Sequence, residues 1–162
     1  MAAYERRSRE GPCFVCAVAS GRPEYRAEHE LIYEEAEVLV VLNRYPTLRG
    51  YTLVCPRQHV EQVVAELSEE AYLGLQRWVY RVRLALQRVV PTERLSILSL
   101  GSQQGNRHVH WHIAPLPPGV AFADQQLAAL QMSRGILAIS TQEMADLAAQ
   151  IRARLLEHSR GG

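Results

Sequence analysis

The stretch HVHWHIAP at residues 108–115 constrains this chain more than any other part of its sequence. Three of the six histidines fall within five consecutive positions there and alternate with apolar residues. Side chains two positions apart in a strand share a face and lie roughly 6.5–7 Å apart. The alternation therefore predicts a strand with an imidazole face and an apolar face that packs into the core. The imidazole face holds His108, His110 and His112, and the apolar face holds Val109, Trp111 and Ile113.

Grouped imidazoles on one strand need a chemical explanation. A single histidine on a strand is usually structural, but several neighbouring rings would repel one another if they became protonated. A bound metal, an anionic substrate or a catalytic role would offset that cost, and such clusters are typical of functional sites. We therefore interpret the histidine strand as part of a site, with all three of those roles open.

The rest of the pattern predicts an α+β domain with a mainly antiparallel sheet. Four further segments are rich in β-branched and aromatic residues and end at turn residues, as strands do. They are residues 31–34, 37–42, 51–56 and 94–100. Ser68, followed by Glu69 and Glu70, predicts the start of a long helix that stops before Pro91. The segment STQE at 140–143 is a capping box and predicts a second helix.

Both predicted helices carry apolar residues at spacings of three and four, which is typical of a face packed on a core. The first stripe is Ala71, Leu75, Trp78, Val82, Ala85 and Val89. The second stripe is Met144, Leu147, Ala148, Ile151 and Leu155. The first stripe fits either a core or a dimer interface.

Composition narrows the classes of partner. Lys plus Arg is 18 and Asp plus Glu is 17, so broad electrostatic binding to nucleic acid or to an anionic membrane is not expected. No apolar run approaches the ~20 residues that span a bilayer, and MAAYERRSREGP lacks the apolar stretch of a secretory signal. The odd number of cysteines, three, favours a reducing compartment over a disulfide framework, so we expect a cytoplasmic protein.

The two N-terminal cysteines, Cys13 and Cys16, form a C-x-x-C element. Two thiolates at this spacing can chelate one ion, but redox chemistry and chance give the same pattern. A closed zinc site needs two more ligands. His59, just after a predicted strand, and one histidine of the histidine strand are the candidates.

The segment HVHWHIA fits the pattern His-φ-His-φ-His-φ-φ, with φ apolar, at every position, and the chain resembles the histidine triad (HIT) family. Three upstream features occur in the family's order: the C-x-x-C element, the segment VLNRYPTLRGYTLVCPRQHV and the segment LSLGSQQGNRHVH. The resemblance implies a HIT-like fold, with a mainly antiparallel five-stranded sheet, one long central helix and C-terminal helices. It divides the chain into a flexible leader (1–11), a HIT domain (12–118) and a helical extension (119–162) packed on the same domain.

The resemblance also implies roles for individual residues. The middle histidine, His110, would attack the α-phosphorus of a nucleotide conjugate, and His112 would contact the phosphate and assist the leaving group. Asn43 would bind the ribose hydroxyls. The phosphate would lie near Ser99, Gly105 and Asn106. In zinc-containing members of the family the ligands correspond to Cys13, Cys16, His59 and His108, which implies a closed, structural zinc site.

Several features depart from the family pattern. The loop between Gly101 and His108 looks about two residues shorter than in the commoner members of the family, and Asn106 and Arg107 replace the usual Ser or Thr. Ser99 is shorter than the family's Asn or Gln, and no Arg follows the triad strand in APLPPG. The tail from Gly119 onward is not a general family feature, so it either shapes the leaving-group pocket or pads the fold.

The resemblance favours a hydrolase, because the transferase branch replaces the third histidine with Gln. We expect a purine nucleotide or dinucleotide substrate, of dinucleoside polyphosphate or nucleoside phosphoramidate type, and a homodimer. Three alternatives stay open: a nucleotidyltransferase or phosphorylase, a non-catalytic nucleotide-binding module, and a catalytic metal site formed by the three strand histidines.

Overall fold

The structure, a computed structural model, describes residue 6 and residues 10–100 and 106–159. The predicted leader at 1–11 falls largely outside the described residues, and so does Gly105. Among the described residues, no helix combines the length and the apolar character that a membrane crossing needs.

Five strands form one sheet in which every neighbouring pair is antiparallel. The strands are β1 (Leu31–Glu34), β2 (Val38–Leu42), β3 (Thr52–Pro56), β4 (Arg94–Leu98) and β5 (Trp111–Leu116). Their order across the sheet is β1-β2-β3-β5-β4. The predicted α+β architecture with an antiparallel five-stranded sheet is confirmed.

The helices have the following bounds. They are α1 (Phe14–Ala19), α2 (Pro23–Arg26), α3 (Val63–Glu66), α4 (Glu69–Gln87), α5 (Leu127–Leu130) and α6 (Thr141–Ser159). Short 3₁₀ turns at Phe122–Asp124 and Met132–Arg134 flank α5. Both predicted caps are confirmed: the Ser68 hydroxyl accepts from the Ala71 N–H at 3.2 Å, and Ser140 and Glu143 bond reciprocally.

The two long helices, α4 and α6, cover one face of the sheet, called the helix face below. The α6 stripe is confirmed, since Leu147, Ala148, Ile151 and Leu155 are all buried in the core of this face. The α4 stripe is right for Leu75, Val82 and Ala85, which are buried. Trp78 and Val89 are partly buried and pack against the same core, whereas Ala71 is exposed. The core of this face also takes in Val79 and Leu86, because the sheet contacts a wider arc of α4 than the six predicted positions span.

The opposite face, called the site face below, has a smaller apolar cluster. Alternate residues of β2 and β3 point to it, and α1 covers it with Val15 and Val18. Arg26 and Arg57 fasten α1 by donating to the carbonyls of Val18 and Ala19, at the C-terminal end of that helix. Both guanidinium groups also bond the Glu34 carboxylate.

The histidine strand is shorter than its alternation predicts, because β5 begins only at Trp111. The segment before it makes hydrogen bonds other than sheet bonds: the His108 carbonyl accepts from the His110 ring, and the Val109 N–H donates to the Val60 carbonyl at 2.7 Å. The alternation itself holds. Val109, Trp111 and Ile113 lie in the core of the helix face, and Trp111 packs edge-on against Tyr72 of α4.

Candidate functional site

Four predicted metal ligands from three distant parts of the chain meet at one point on the site face. Cys13 precedes α1 and Cys16 lies in its first turn, so the helical spacing of three residues turns both thiols the same way. His59 follows β3 and His108 precedes β5. The four ligand atoms all lie within 4.8 Å of one another.

The distances within this cluster suit tetrahedral coordination. Sγ of Cys13 is 3.3 Å from Nδ1 of His108, and Sγ of Cys16 is 3.2 Å from Nδ1 of His59 and 3.6 Å from Nδ1 of His108. Metal–sulfur bonds of about 2.3 Å and metal–nitrogen bonds of about 2.0 Å imply edges near 3.5 Å in a tetrahedron. The cluster could therefore hold one ion with little rearrangement.

The second nitrogen of each imidazole is also placed for metal binding. Nε2 of His108 lies 2.8 Å from the Pro56 carbonyl oxygen, and Nε2 of His59 lies 3.2 Å from a carboxylate oxygen of Glu61. Donation to these acceptors puts the ring proton on Nε2 and leaves the Nδ1 lone pair toward the thiols.

The pKa values of His108 and Cys13 also bear on whether the cluster can bind a cation. Burial lowers the pKa of His108 to about 4, so its ring is neutral near pH 7, as a ligand must be. Burial raises the pKa of the Cys13 thiol to about 11 in the absence of a cation. A divalent ion supplies the positive charge that stabilises the thiolate.

His110 has its tautomer set by the backbone. Its Nδ1 lies 2.6 Å from the His108 carbonyl oxygen, which can only accept, so Nδ1 carries the proton. Burial lowers the pKa of His110, which keeps the ring neutral near pH 7. The other nitrogen, Nε2, is left with a free lone pair, as a nucleophile requires.

His112 pairs with His110 on the same face, at a ring-centroid distance of 4.5 Å. Nδ1 of His112 lies 2.9 Å from the Tyr51 hydroxyl, and burial lowers the pKa of His112 to about 3. Tyr51 falls in the predicted strand 51–56, but its sequence position alone indicates no role. The antiparallel register that sets Leu53 opposite His112 brings the preceding turn, with Tyr51, to this ring.

These histidines open on a cavity of about 710 Å³, which is a volume suited to a nucleotide-sized ligand. Its lining includes Asn43, Ser99 and Asn106, so the predicted substrate-binding residues within the described part of the chain all reach it. Gly105 lies outside the described residues.

Two asparagine side chains in the cavity lining each have an NH₂ group that can donate to a ligand. The Asn43 side-chain oxygen accepts from the Tyr45 N–H at 3.0 Å, so its NH₂ group is the part left for a ligand. The Asn106 NH₂ group is buried and has no partner among the described residues. A buried donor in that state is suited to a ligand oxygen.

Known proteins resemble this chain in sequence and in fold. Residues 24–118 match the model of the HIT domain. An uncharacterised HIT-like protein of Saccharolobus solfataricus is 30% identical over 107 residues, which cover 64% of this chain and 73% of that protein.

Solved structures share the fold, and two of them cover more than nine-tenths of this chain. A hypothetical histidine triad nucleotide-binding protein of Sulfolobus tokodaii has a TM-score of 0.72 at 24% identity, over 91% of this chain and 95% of that one. A zinc-bound histidine triad family protein of Mycobacterium smegmatis has a TM-score of 0.70 at 21% identity, over 93% and 97%.

Proposed function

Because the chain belongs to the HIT domain family, we propose that it hydrolyses a nucleoside monophosphate conjugate at the α-phosphate through a nucleotidyl-histidine intermediate. The observation that carries the proposal is the bond from His110 Nδ1 to the His108 carbonyl oxygen. This bond fixes the tautomer with the proton on Nδ1, burial keeps the ring neutral near pH 7, and the ring lines the cavity.

In the first step, Nε2 of His110 attacks the phosphorus while the bond from phosphorus to the leaving group breaks. The leaving group takes its proton from solvent water. The Tyr51 hydroxyl, donating to Nδ1 of His112, holds that ring's own proton on Nε2, where it can donate a hydrogen bond to the leaving atom. Water then attacks the phosphorus, the nucleoside monophosphate departs, and both rings return to their starting state.

The substrate contacts follow from the lining of the cavity. The Asn43 NH₂ group donates to a ribose hydroxyl oxygen, and the Asn106 NH₂ group donates to a phosphate oxygen. Ser99 and Gly105 complete the phosphate contacts in this proposal, and a purine nucleotide or dinucleotide is the substrate.

We assign the cluster of Cys13, Cys16, His59 and His108 to a structural zinc ion, supported by its distances and by the zinc-bound relative of the same fold. Four protein ligands leave no open coordination position, so zinc bound here serves as a structural cross-link. Fixing the ring of His108 also fixes its carbonyl oxygen, the acceptor that orients His110.

We further propose a homodimer in a reducing, cytoplasmic environment. β4 is an edge strand with Ile97 42% exposed, and an unpaired edge of this kind favours pairing with a second copy. Light scattering of the purified protein tests the dimer. The Cys13 and Cys16 thiols must stay reduced to bind metal.

Mass spectrometry after brief exposure to adenylated and guanylated substrates tests the mechanism. A nucleotidyl adduct on His110 is expected, and its base identifies the preferred nucleoside. His110→Ala should lower turnover at least about 1000-fold with an unchanged circular dichroism spectrum. Unchanged turnover of the variant would refute catalysis by His110 and leave a nucleotide-binding module.

The molecule that accepts the nucleotidyl group from His110 distinguishes a hydrolase from a phosphorylase. It is water in a hydrolase and inorganic phosphate in a phosphorylase. Product formation in phosphate-free buffer is expected. If the nucleotide leaves His110 only when inorganic phosphate is added, the chain is a phosphorylase.

A further inference from the structure

The orientation of the Asn43 side chain depends on the turn that follows it. The turn spans residues 43–51, between β2 and β3. The Asn43 side-chain oxygen accepts from the Tyr45 N–H at 3.0 Å, a bond that asparagine often makes to the backbone two residues on. The same side chain lines the cavity. Whatever fixes the backbone at Tyr45 and Pro46 therefore also fixes the direction of the amide.

Hydrogen bonds within the turn hold its two ends better than its middle. The Asn43 N–H donates to the Tyr51 carbonyl at 2.7 Å, and the Tyr51 N–H donates to the Leu48 carbonyl at 3.2 Å. The Thr47 hydroxyl is buried and makes no hydrogen bond among the described residues. A buried polar group in that state disfavours the conformation that buries it. Contacts from elsewhere in the chain are therefore needed to stabilise the middle of the turn.

One such contact comes from the segment between β5 and α6, residues 117–140, called the connecting segment below. The Leu137 N–H donates to the carbonyl of Pro46, which is buried in the middle of the turn, at 2.8 Å. Leu130 packs against the apolar cluster of the site face, as Leu48 of the turn does. Most of the connecting segment lies beyond the region that matches the HIT domain, which ends at residue 118.

The start of α6 gives Leu137 a firm support. α6 begins shortly after Leu137, its first turn is fixed by the capping box of Ser140 and Glu143, and its apolar stripe is buried in the core of the helix face. Hydrogen bonds from Ser140 lower the pKa of Glu143, and the charge of Arg49, in the turn, lowers it further, so the turn lies close to this helix end. The bond to Pro46 thus ties the turn to a helix whose position is set by core packing.

From these contacts we infer that Leu137 is a positioning residue: its backbone N–H holds the turn in the conformation that directs the Asn43 amide at the cavity. The inference rests on the proposed function, because Asn43 is the proposed ribose contact. The connecting segment thus contributes to binding through backbone geometry as well as through the residues with which it lines the cavity, Leu127, Leu130, Gln131 and Met132.

Leu137→Pro tests the inference, because proline has no N–H to donate. The readout is kcat/KM for a purine nucleoside 5′-phosphoramidate divided by kcat/KM for its 2′,3′-dideoxy counterpart, which lacks the ribose hydroxyls. The wild type should prefer the ribose compound by about tenfold, and the variant should lose most of that preference. A loss of folded protein alone would lower both values by the same factor. A wild-type ratio in Leu137→Pro would overturn the inference.

Ile136→Pro is the matched control. Ile136 is 51% exposed, and its N–H makes no hydrogen bond within the part of the chain that the structure describes. The preceding Gly135 has ψ 155°, which a following proline tolerates. This variant should keep the wild-type ratio. Equal losses in Ile136→Pro and Leu137→Pro would trace the effect to proline in the segment and refute the role of the bond.

A double variant tests whether Leu137 acts through Asn43. Asn43→Ala removes the amide, so adding Leu137→Pro to it should change the ratio no further, whereas independent roles would make the two losses multiply. A further loss in the double variant would refute positioning of Asn43. If circular dichroism shows that Leu137→Pro does not fold, two glycines inserted after Ala138 take its place. They lengthen the link to α6, and the ratio should fall in the same direction.

The two proposals fail in different ways. If the wild type turns over neither substrate and forms no adduct on His110, the proposed function is refuted. Hydrogen exchange at the Tyr45 amide needs no turnover, and Leu137→Pro should speed it at least about tenfold relative to Ile136→Pro. Equal exchange rates in the two variants would overturn the positioning role whether or not the chain is a hydrolase.

Discussion

The two faces of the sheet are stabilised in different ways. On the helix face, two 19-residue helices bury a continuous apolar core against alternate strand residues. On the site face, short helices cover a smaller apolar cluster, and thiols, imidazoles and ion pairs add specific polar contacts. Apolar area is thus the main source of stability on one face, and on the other a few specific contacts hold the geometry that chemistry requires.

The largest effect that this comparison predicts is on metal binding. Cys13→Ser should abolish binding of the zinc ion proposed for the cluster of Cys13, Cys16, His59 and His108. At a zinc concentration about 1000 times the Kd, the linked stabilisation that is lost is about 4 kcal/mol. Metal analysis measures the zinc content, and thermal unfolding with and without zinc measures the linked stabilisation. Cys55→Ala is the control, since Cys55 is buried in β3 and is not one of the cluster residues. Zinc retained by Cys13→Ser would contradict the assigned site.

A core substitution on the helix face should affect stability and leave the metal in place. Ile151→Ala removes a fully buried side chain and should lower the free energy of unfolding by about 3 kcal/mol, measured by urea unfolding. Leu156→Ala, at a partly exposed position of α6, should cost much less. A loss of zinc from Ile151→Ala would show that the faces are not independent.

Within the site face, Tyr51→Phe tests whether the Tyr51 hydroxyl positions the His112 ring or whether Tyr51 contributes only packing. Without the hydroxyl, Nδ1 of His112 loses its hydrogen-bond partner, and kcat should fall about tenfold with little change in KM. Tyr80→Phe on the exposed surface of α4 is the control. An unchanged kcat would mean that Tyr51 contributes only to packing.

The smallest predicted effect concerns the ion pairs that Glu34 makes with Arg26 and Arg57, the two arginines that also bond α1. Hydrogen bonds from Arg26, with the nearby charge of Arg57, hold the pKa of Glu34 below its usual range. A lowered pKa means that this stabilisation is present above the unfolded pKa of about 4.3 and is lost as the pH falls through the folded pKa. Glu34→Gln should lower the free energy of unfolding by less than about 1 kcal/mol at pH 7. In acid, the free energies of unfolding of the variant and the wild type should become equal.

Urea unfolding as a function of pH measures this difference. Glu157→Gln, which removes the exposed Arg154 pair of α6, should show no measurable change. If the free energy of unfolding differed between wild type and Glu34→Gln by the same amount at every pH, the stabilisation by Glu34 would not be electrostatic.

What the sequence predicts well is whatever depends on local periodicity. The alternation around Trp111 places apolar and imidazole side chains on opposite faces, and the spacing of Cys13 and Cys16 places two thiols together. The start of β5 is not predictable in the same way, because the His110 ring bonds the His108 backbone.

Some contacts depend on the register between strands or on segments without regular secondary structure. These contacts cannot be predicted from the sequence. Tyr51 meets His112 only because β3 and β5 pair with Leu53 opposite that ring. Residues 120–137 have no regular apolar period, so their contribution to the cavity wall follows from tertiary contacts such as the bond from Leu137 to Pro46.

The cluster of Cys13, Cys16, His59 and His108 also bears on the order of folding. Cys13 and His108 are separated by 95 residues, so their contact closes a long loop and depends on β3 and β5 having already paired. Contacts of such large sequence separation form slowly, whereas helices such as α4 form from local contacts. Metal capture should therefore be a late kinetic step, and its rate would report completion of the site face.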